Sequence, residues 1–278
     1  MTGGVTAPAR TLLIRGARLL DARQELTGDL LVEDGRIAAF GPDAGATAAA
    51  SAVDQVIDGR GRALFPGFAN THTHAAMVLF RGYTDDVPLR QWLEERIWPL
   101  ERHLTAEHVR AGAALAGLEM LTSGTTAFHD MYFQPQATAS AVEQLGMRAV
   151  ISQVFFEVFE KRPLAEVSAQ LEASIERLRG FRNVVPSVGP HAPYTVSLEG
   201  LGMAYRLAER LDVLVHFHIA ETAHELREFR LQHGQDLVPA LDAAGFLGPR
   251  LIAAHGIWLT DDDARLLATR TPAARSDR

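Results

Sequence analysis

The 278-residue chain contains no cysteine, which excludes disulfides and thiolate metal sites, so any metal must rest on histidine and carboxylate. Lysine is almost as scarce: Lys161 is the only one among 27 basic residues, the rest being arginine. Basic clusters are missing too. With 34 acidic residues the net charge is −7, which argues against a duplex nucleic-acid partner. No apolar run approaches the ~20 residues that a membrane span needs. The N-terminal stretch MTGGVTAPAR lacks the charged-then-apolar build of a signal peptide. These absences predict a soluble, cytoplasmic protein with neither nucleic-acid nor membrane partners; oligomeric state stays open, a homo-oligomer included. Hydrophobic residues make up 47% of the chain, enough for one large domain or two smaller ones.

Residues 1–63 read as a small β unit. TLLIRGARLLDA and DLLVEDGRIAAFGP alternate apolar and polar positions, and Asp34-Gly35 offers a tight hairpin turn. The Ala-rich stretch 44–52 reads as a loop or weak helix. From residue 64 the pattern changes. Apolar runs at 64–74, 125–133, 148–156, 184–194, 213–222 and 251–259 alternate with helical stretches such as LRQWLEERIWPL, AEHVRAGAALAGLEMLTSG and SLEGLGMAYRLAERL. Strand and helix in alternation, with strands apolar nearly throughout, predict an α/β fold with a parallel sheet covered on both faces.

Four of these runs carry histidine at their C-terminal ends: His72 with His74, His191, His218, and His255. In a β/α barrel such ends share one mouth, where chemistry is assembled from several strands; a doubly wound sheet gathers its ligands at a switch point instead. The four histidine-bearing ends favour the barrel. Residues two apart on a strand face the same way, so His72 and His74 project together, within reach of one ion. An isolated His-x-His is ordinarily two imidazoles bonded to backbone. Here the pair closes an apolar strand and has counterparts on other strands, which points to metal.

PGFANTHTH, GTTAFHDMYF, GPHAPYTVS, HFHIAET and AAHGIWLTDDD occur in that order and resemble the amidohydrolase superfamily. They look most like its branch of 5-methylthioadenosine/S-adenosylhomocysteine deaminases, triazine chlorohydrolases and guanine deaminases, over roughly residues 11–268. The resemblance implies a distorted (β/α)8 TIM-barrel-like domain with a small β-sandwich, and one divalent metal, zinc or iron, that activates water. It implies His72, His74 and His218 as metal ligands and Glu221 as the proton shuttle between water and the ring nitrogen. It also implies His255 as the residue that orients or deprotonates that water. Trp92 would pack on the substrate, Glu101 would bind ribose hydroxyls, His191 would contact the purine ring, and Arg148 would join the same pocket.

The bland alternatives are core packing for Trp92 and a solvated helix end for Glu101. His103, His108, His224 and His233 read as surface residues. His216 reads as a buried, hydrogen-bonded layer beneath His218, and His129 and Asp130 as partners that fix imidazole orientation. Binuclear relatives bridge their metals with a fourth-strand lysine; here that strand ends in His191, so one ion is expected.

The resemblance also implies an eighth-strand aspartate ligand, and none follows LTDDDARLLA. Asp261, Asp262 and Asp263 read as a helix start. The expected organisation is therefore 1–63 as the N-terminal part of a sandwich, 64–268 as an incomplete barrel of about six β/α units, and 269–278 as a non-family tail. The expected function is hydrolytic deamination of a purine nucleoside or similar amino-heterocycle at a carbon–nitrogen bond. The alternatives are hydrolytic dechlorination or deamination of another heterocycle such as a triazine or guanine, or an inactive truncated remnant.

Overall fold

In the computed structural model, which describes residues 10–49 and 53–271, the chain separates into one unit up to Gly67 and a second from Phe68 onward. The first unit is built on β1 (Thr11–Leu20), which pairs antiparallel with β2 (Glu25–Glu33) and parallel with both β4 (Gln55–Asp58) and β5 (Ala63–Leu64). β3 (Arg36–Gly41) closes a hairpin onto β2, with Glu33 opposite Arg36. The two residues between them, Asp34 and Gly35, have φ of 47° and 75°. That double positive φ is the turn whose twist matches a hairpin, and Gly35 adopts it without Cβ strain. Among the described residues the unit is a mixed sheet of five strands. A short helix, Ala44–Ala49, covers it, with Leu13, Leu31 and Ala48 buried between them. Residues 50–52 of the expected loop or weak helix lie outside the described residues.

The second unit is a six-stranded parallel sheet in chain order: β6 (Phe68–Thr73), β7 (Thr125–Tyr132), β8 (Arg148–Phe155), β9 (Val184–Pro190), β10 (Leu214–Ile219) and β11 (Leu251–His255). The apolar run expected over 64–74 is divided. Its first residue belongs to β5 of the small sheet, and the parallel strand starts only after Pro66, which has no N–H to offer a ladder.

Helices join consecutive strands, and local chemistry sets their ends. Thr105, Ser197, Thr222 and Thr260 cap the helices Ala106–Thr122, Leu198–Leu211, Ala223–His233 and Asp261–Arg270 with side-chain oxygens. The last of these carries Asp261, Asp262 and Asp263 in its first turn and runs through Arg270, two residues into the stretch expected as tail; residues 272–278 lie outside the described residues. Helix Leu198–Leu211 buries Leu201, Ala204, Tyr205 and Ala208, at the i, i+3, i+4, i+7 spacing of one face, in a core shared with Phe217 and Phe246.

The sheet curls strongly. Laid flat, five strand spacings would hold β6 and β11 ~24 Å apart. Yet the rings of His72 on β6 and His255 on β11 have centroids 5.1 Å apart. The strand ends therefore converge as in a barrel, and β6 and β11 each have one strand partner among the described residues. No helix among the described residues is long and apolar enough to cross a membrane.

Candidate metal centre and substrate cavity

β6 ends by turning both of its histidines toward the interior while Thr73, between them, faces β7. The Thr73 hydroxyl lies 3.0 Å from the His129 carbonyl oxygen and from Asp130 Oδ1. Asp130 is fully buried and also accepts from the backbone N–H of Ala75 at 2.7 Å, which fixes the exit of the strand. Burial pushes its carboxyl up to about 6, against the pull of the Ala75 and Thr73 donors.

The tautomers of two histidines follow from their partners. His74 Nδ1 is 2.6 Å from the Met131 carbonyl oxygen, and His218 Nδ1 is 2.6 Å from that of His191. A carbonyl only accepts, so both Nδ1 atoms carry the hydrogen and both Nε2 atoms present lone pairs. Those lone pairs face each other at 3.2 Å. Two acceptors aimed at one another are reconciled by a cation between them. Two nitrogens at ~2.05 Å from one tetrahedral ion stand about 3.3 Å apart. The donor set thus fits a divalent metal. The ligand nitrogens of His72, His218 and His255 also lie within 4.8 Å of one another, so His255 joins a metal-competent group for which sequence reading had chosen His74.

Burial, foremost, keeps these rings in the neutral form that ligates metal. His72 is lowered to about 4 and His191 to about 3, each helped by neighbouring imidazoles, while His74 and His218 are lowered as well.

Glu221 follows His218 through a tight turn in which Ala220 has a φ of 50°. Its Oε2 is 3.6 Å from His255 Nε2. Burial raises its carboxyl, with His255 and His74 opposing. Glu225 holds this turn: its carboxylate accepts from the N–H of Ala220 at 2.9 Å and of Glu221 at 3.3 Å. Sequence reading had passed over Glu225, although Thr222-x-x-Glu225 is the pattern of a helix start whose acid folds back on the preceding backbone.

All four histidines and Glu221 line one cavity of about 240 Å³, together with Trp92, Glu101 and His191. Trp92 opens a π-helical turn, Trp92–Ile97. Glu101 Oε1 accepts from the Tyr132 hydroxyl at 2.7 Å, and burial raises its carboxyl. His191 Nδ1 is 3.1 Å from Thr195 Oγ1. A second chamber of about 450 Å³ shares Leu89, Leu93, Trp98 and Tyr194 with the first.

Arg148 is not brought to this cavity. It is the exposed first residue of β8, whereas the cavity meets that element at Val154 and Phe156. Seven residues of strand place it ~23 Å from the Phe155 end, so the expected pocket role is corrected. Lys161 is exposed, beyond β8, and does not line the cavity. His103, His108, His224 and His233 are exposed as expected; His108 serves as the capping-box partner of Thr105.

Comparison with known proteins agrees with this geometry. The amidohydrolase family profile matches residues 63–276. A 5-methylthioadenosine/S-adenosylhomocysteine deaminase of Archaeoglobus fulgidus is 46% identical over 261 residues, covering 93% of this chain and 60% of its own length. A 5'-deoxyadenosine deaminase of Methanothermobacter thermautotrophicus is 41% identical, covering 94% of this chain and 60% of its own. An adenosine deaminase structure from Xanthomonas campestris with bound zinc superimposes with a TM-score of 0.84 at 34% identity, over 93% of this chain and 60% of that one. The zinc complex of atrazine chlorohydrolase from Arthrobacter aurescens, 22% identical with a TM-score of 0.82, shares the fold over 93% of this chain and 63% of its own. The chain spans about 60% of the length of the deaminases it matches.

Proposed function

The chain belongs to the amidohydrolase family, and from that premise we propose that its cavity performs metal-dependent hydrolytic deamination of an adenosine-type nucleoside. The observation that carries the reading is the pair of facing Nε2 lone pairs on His74 and His218, with Glu221 and His255 on the same wall. His72, His74 and His218 hold one divalent ion, zinc or iron. A single ion is favoured because the fourth strand presents His191 and the only lysine lies outside the cavity. When bound, the ion supplies a Lewis acid that lowers the pKa of water from 15.7 towards ~7.

Glu221 takes a proton from the attacking water and delivers it to the ring nitrogen beside the carbon under attack; burial, which raises its carboxyl, favours the protonated form that makes the delivery. His255, 3.6 Å from Glu221, orients that water. A carbon–oxygen bond forms and the exocyclic carbon–nitrogen bond breaks. The second proton of the water, left on the new hydroxyl, passes through Glu221 to the amino group, which leaves as ammonia while the hydroxyl oxygen becomes the ring carbonyl. Trp92 packs on the ring and His191 contacts it. With Glu101 Oε1 held by Tyr132, Oε2 meets the ribose hydroxyls. The adjoining chamber of about 450 Å³ accommodates a 5' substituent, in keeping with relatives that act on 5-methylthioadenosine and 5'-deoxyadenosine.

The test is a panel assay on zinc-loaded protein following ammonia release from 5'-methylthioadenosine, 5'-deoxyadenosine and guanine, beside chloride release from a chlorotriazine. Ammonia from the adenosine derivatives alone is expected. Chloride release, or ammonia from guanine only, would replace this reading with its alternatives, and zinc-loaded protein inert on the whole panel would leave the remnant.

A further inference from the structure

The three proposed ligand histidines differ in what fixes them. His74 and His218 donate to backbone carbonyls, whereas His72 Nδ1 meets only a side chain, His216 Nε2, at 2.8 Å. His216 does not stop there. Its Nδ1 lies 3.4 Å from Ser152 Oγ, Ser152 and Ser187 hydroxyls are 2.8 Å apart, and His129 Nε2 lies 2.9 Å from Ser187 and 3.1 Å from Ser152. His216, Ser152 and Ser187 have no exposure at all, and His129 is 5% exposed. These four residues come from β10, β8, β9 and β7, and Ser152 stands directly opposite Ser187 in the ladder. With His72 they form a polar layer under the metal site that crosses five of the six strands. Four buried polar side chains in strands that are otherwise apolar call for an explanation.

Hydrogen-bond direction supplies one. For His72 Nε2 to ligate, its hydrogen must sit on Nδ1 and point at His216 Nε2. His216 then carries its own hydrogen on Nδ1 and donates to Ser152. Ser152 donates to Ser187, Ser187 donates to His129 Nε2, and each of these contacts then has one donor and one acceptor. The opposite sense puts a hydrogen on His72 Nε2, where it blocks the ion. We propose that His216, Ser152, Ser187 and His129 are positioning residues: they form a one-way hydrogen-bond relay that sets the His72 tautomer and so prepares the third nitrogen of the metal site before any ion arrives. This rests on the ligand set proposed above.

The direct readout is the 15N and 1H shifts of the histidine rings in metal-free protein, which should show His72 protonated on Nδ1. The second is zinc affinity, measured by competition with a chromophoric chelator. His216→Leu removes the acceptor and should weaken zinc binding about 10–100-fold, the scale of lost outer partners at metal sites. His216→Gln keeps an oxygen for His72 and an N–H for Ser152, and should restore affinity to within about threefold. If His216→Leu fails to fold, the pair Ser152→Ala with Ser187→Ala keeps both imidazoles and should shift affinity and tautomer in the same direction. His218→Ala is the control that separates the two readings. If it abolishes zinc binding while His216→Leu, or that serine pair, leaves affinity unchanged, the relay is wrong and the ligand set stands. If His218→Ala binds zinc normally, the ligand set itself falls. A His72 ring protonated on Nε2 in the metal-free protein would also overturn the relay.

Discussion

Glu221 is where position and protonation meet. It sits next to an alanine held at a positive φ, a conformation costing on the order of 1–3 kcal/mol, and the turn persists because Glu225 accepts both of its N–H groups. Glu221→Gln keeps the shape and removes the proton carrier. It should lower kcat by about 10²–10⁴-fold while zinc affinity, read by chelator competition, stays within about twofold, because the residue holds no metal in this reading. A variant that lost zinc as well would make Glu221 a ligand. His72, His74 and His218 could be placed at one rim from the sequence because period-two spacing and strand ends are local features, whereas Glu221 entered through the family resemblance. Arg148 came only from the resemblance; as the first residue of its run it lies at the end opposite the mouth that the strands' C-terminal ends form. Ser152 and Ser187 were legible only as hydroxyls out of place in apolar runs, and their partnership depends on a ladder register that no short motif states.

At the scale of elements, strands and helices beyond Phe68 follow closely from periodicity, because longer helices such as Leu198–Leu211 bury an apolar face and four helices carry a side-chain cap. The helix Leu198–Leu211 illustrates how such a face is held. Leu201 is fully buried against the sheet that carries His218, so Leu201→Ala should cost about 2–5 kcal/mol in urea unfolding of the chain. A loss below 1 kcal/mol would mean that this helix is not packed on the core as described. What periodicity missed was at breaks. The apolar run around Pro66 reads as one strand, yet it is shared between two sheets, because a residue without an N–H cannot continue a ladder and the chain changes partners there. The N-terminal part of a sandwich, an expectation that came from the family resemblance, takes the form of a five-stranded mixed sheet among the described residues.

For the whole molecule, the unusual density of buried titratable groups sets how stability responds to pH. In metal-free protein, burial lowers His72, His74, His129, His191, His216 and His218. In the unfolded chain the same rings titrate near 6.5. A depressed folded-state value means the unfolded chain binds more protons, so this contribution is complete above ~6.5 and is lost as pH falls below it. Four carboxyls work the other way: burial raises Asp130 to about 6 and Glu225 to about 7, and raises Glu101 and Glu221. They stabilise the fold at low pH and cease to do so as pH rises through those values. At pH 5 the two sets oppose one another, and the six histidines are the more numerous, so unfolding takes up protons on balance. Stability of the metal-free chain, measured by urea unfolding with a chelator present, should therefore rise from pH 5 to pH 6. The histidine contribution is complete above ~6.5, so the rise should end there, while Glu225, raised to about 7, still gives up its share. A flat or falling profile between pH 5 and 6 would mean the imidazoles are not buried as a neutral cluster.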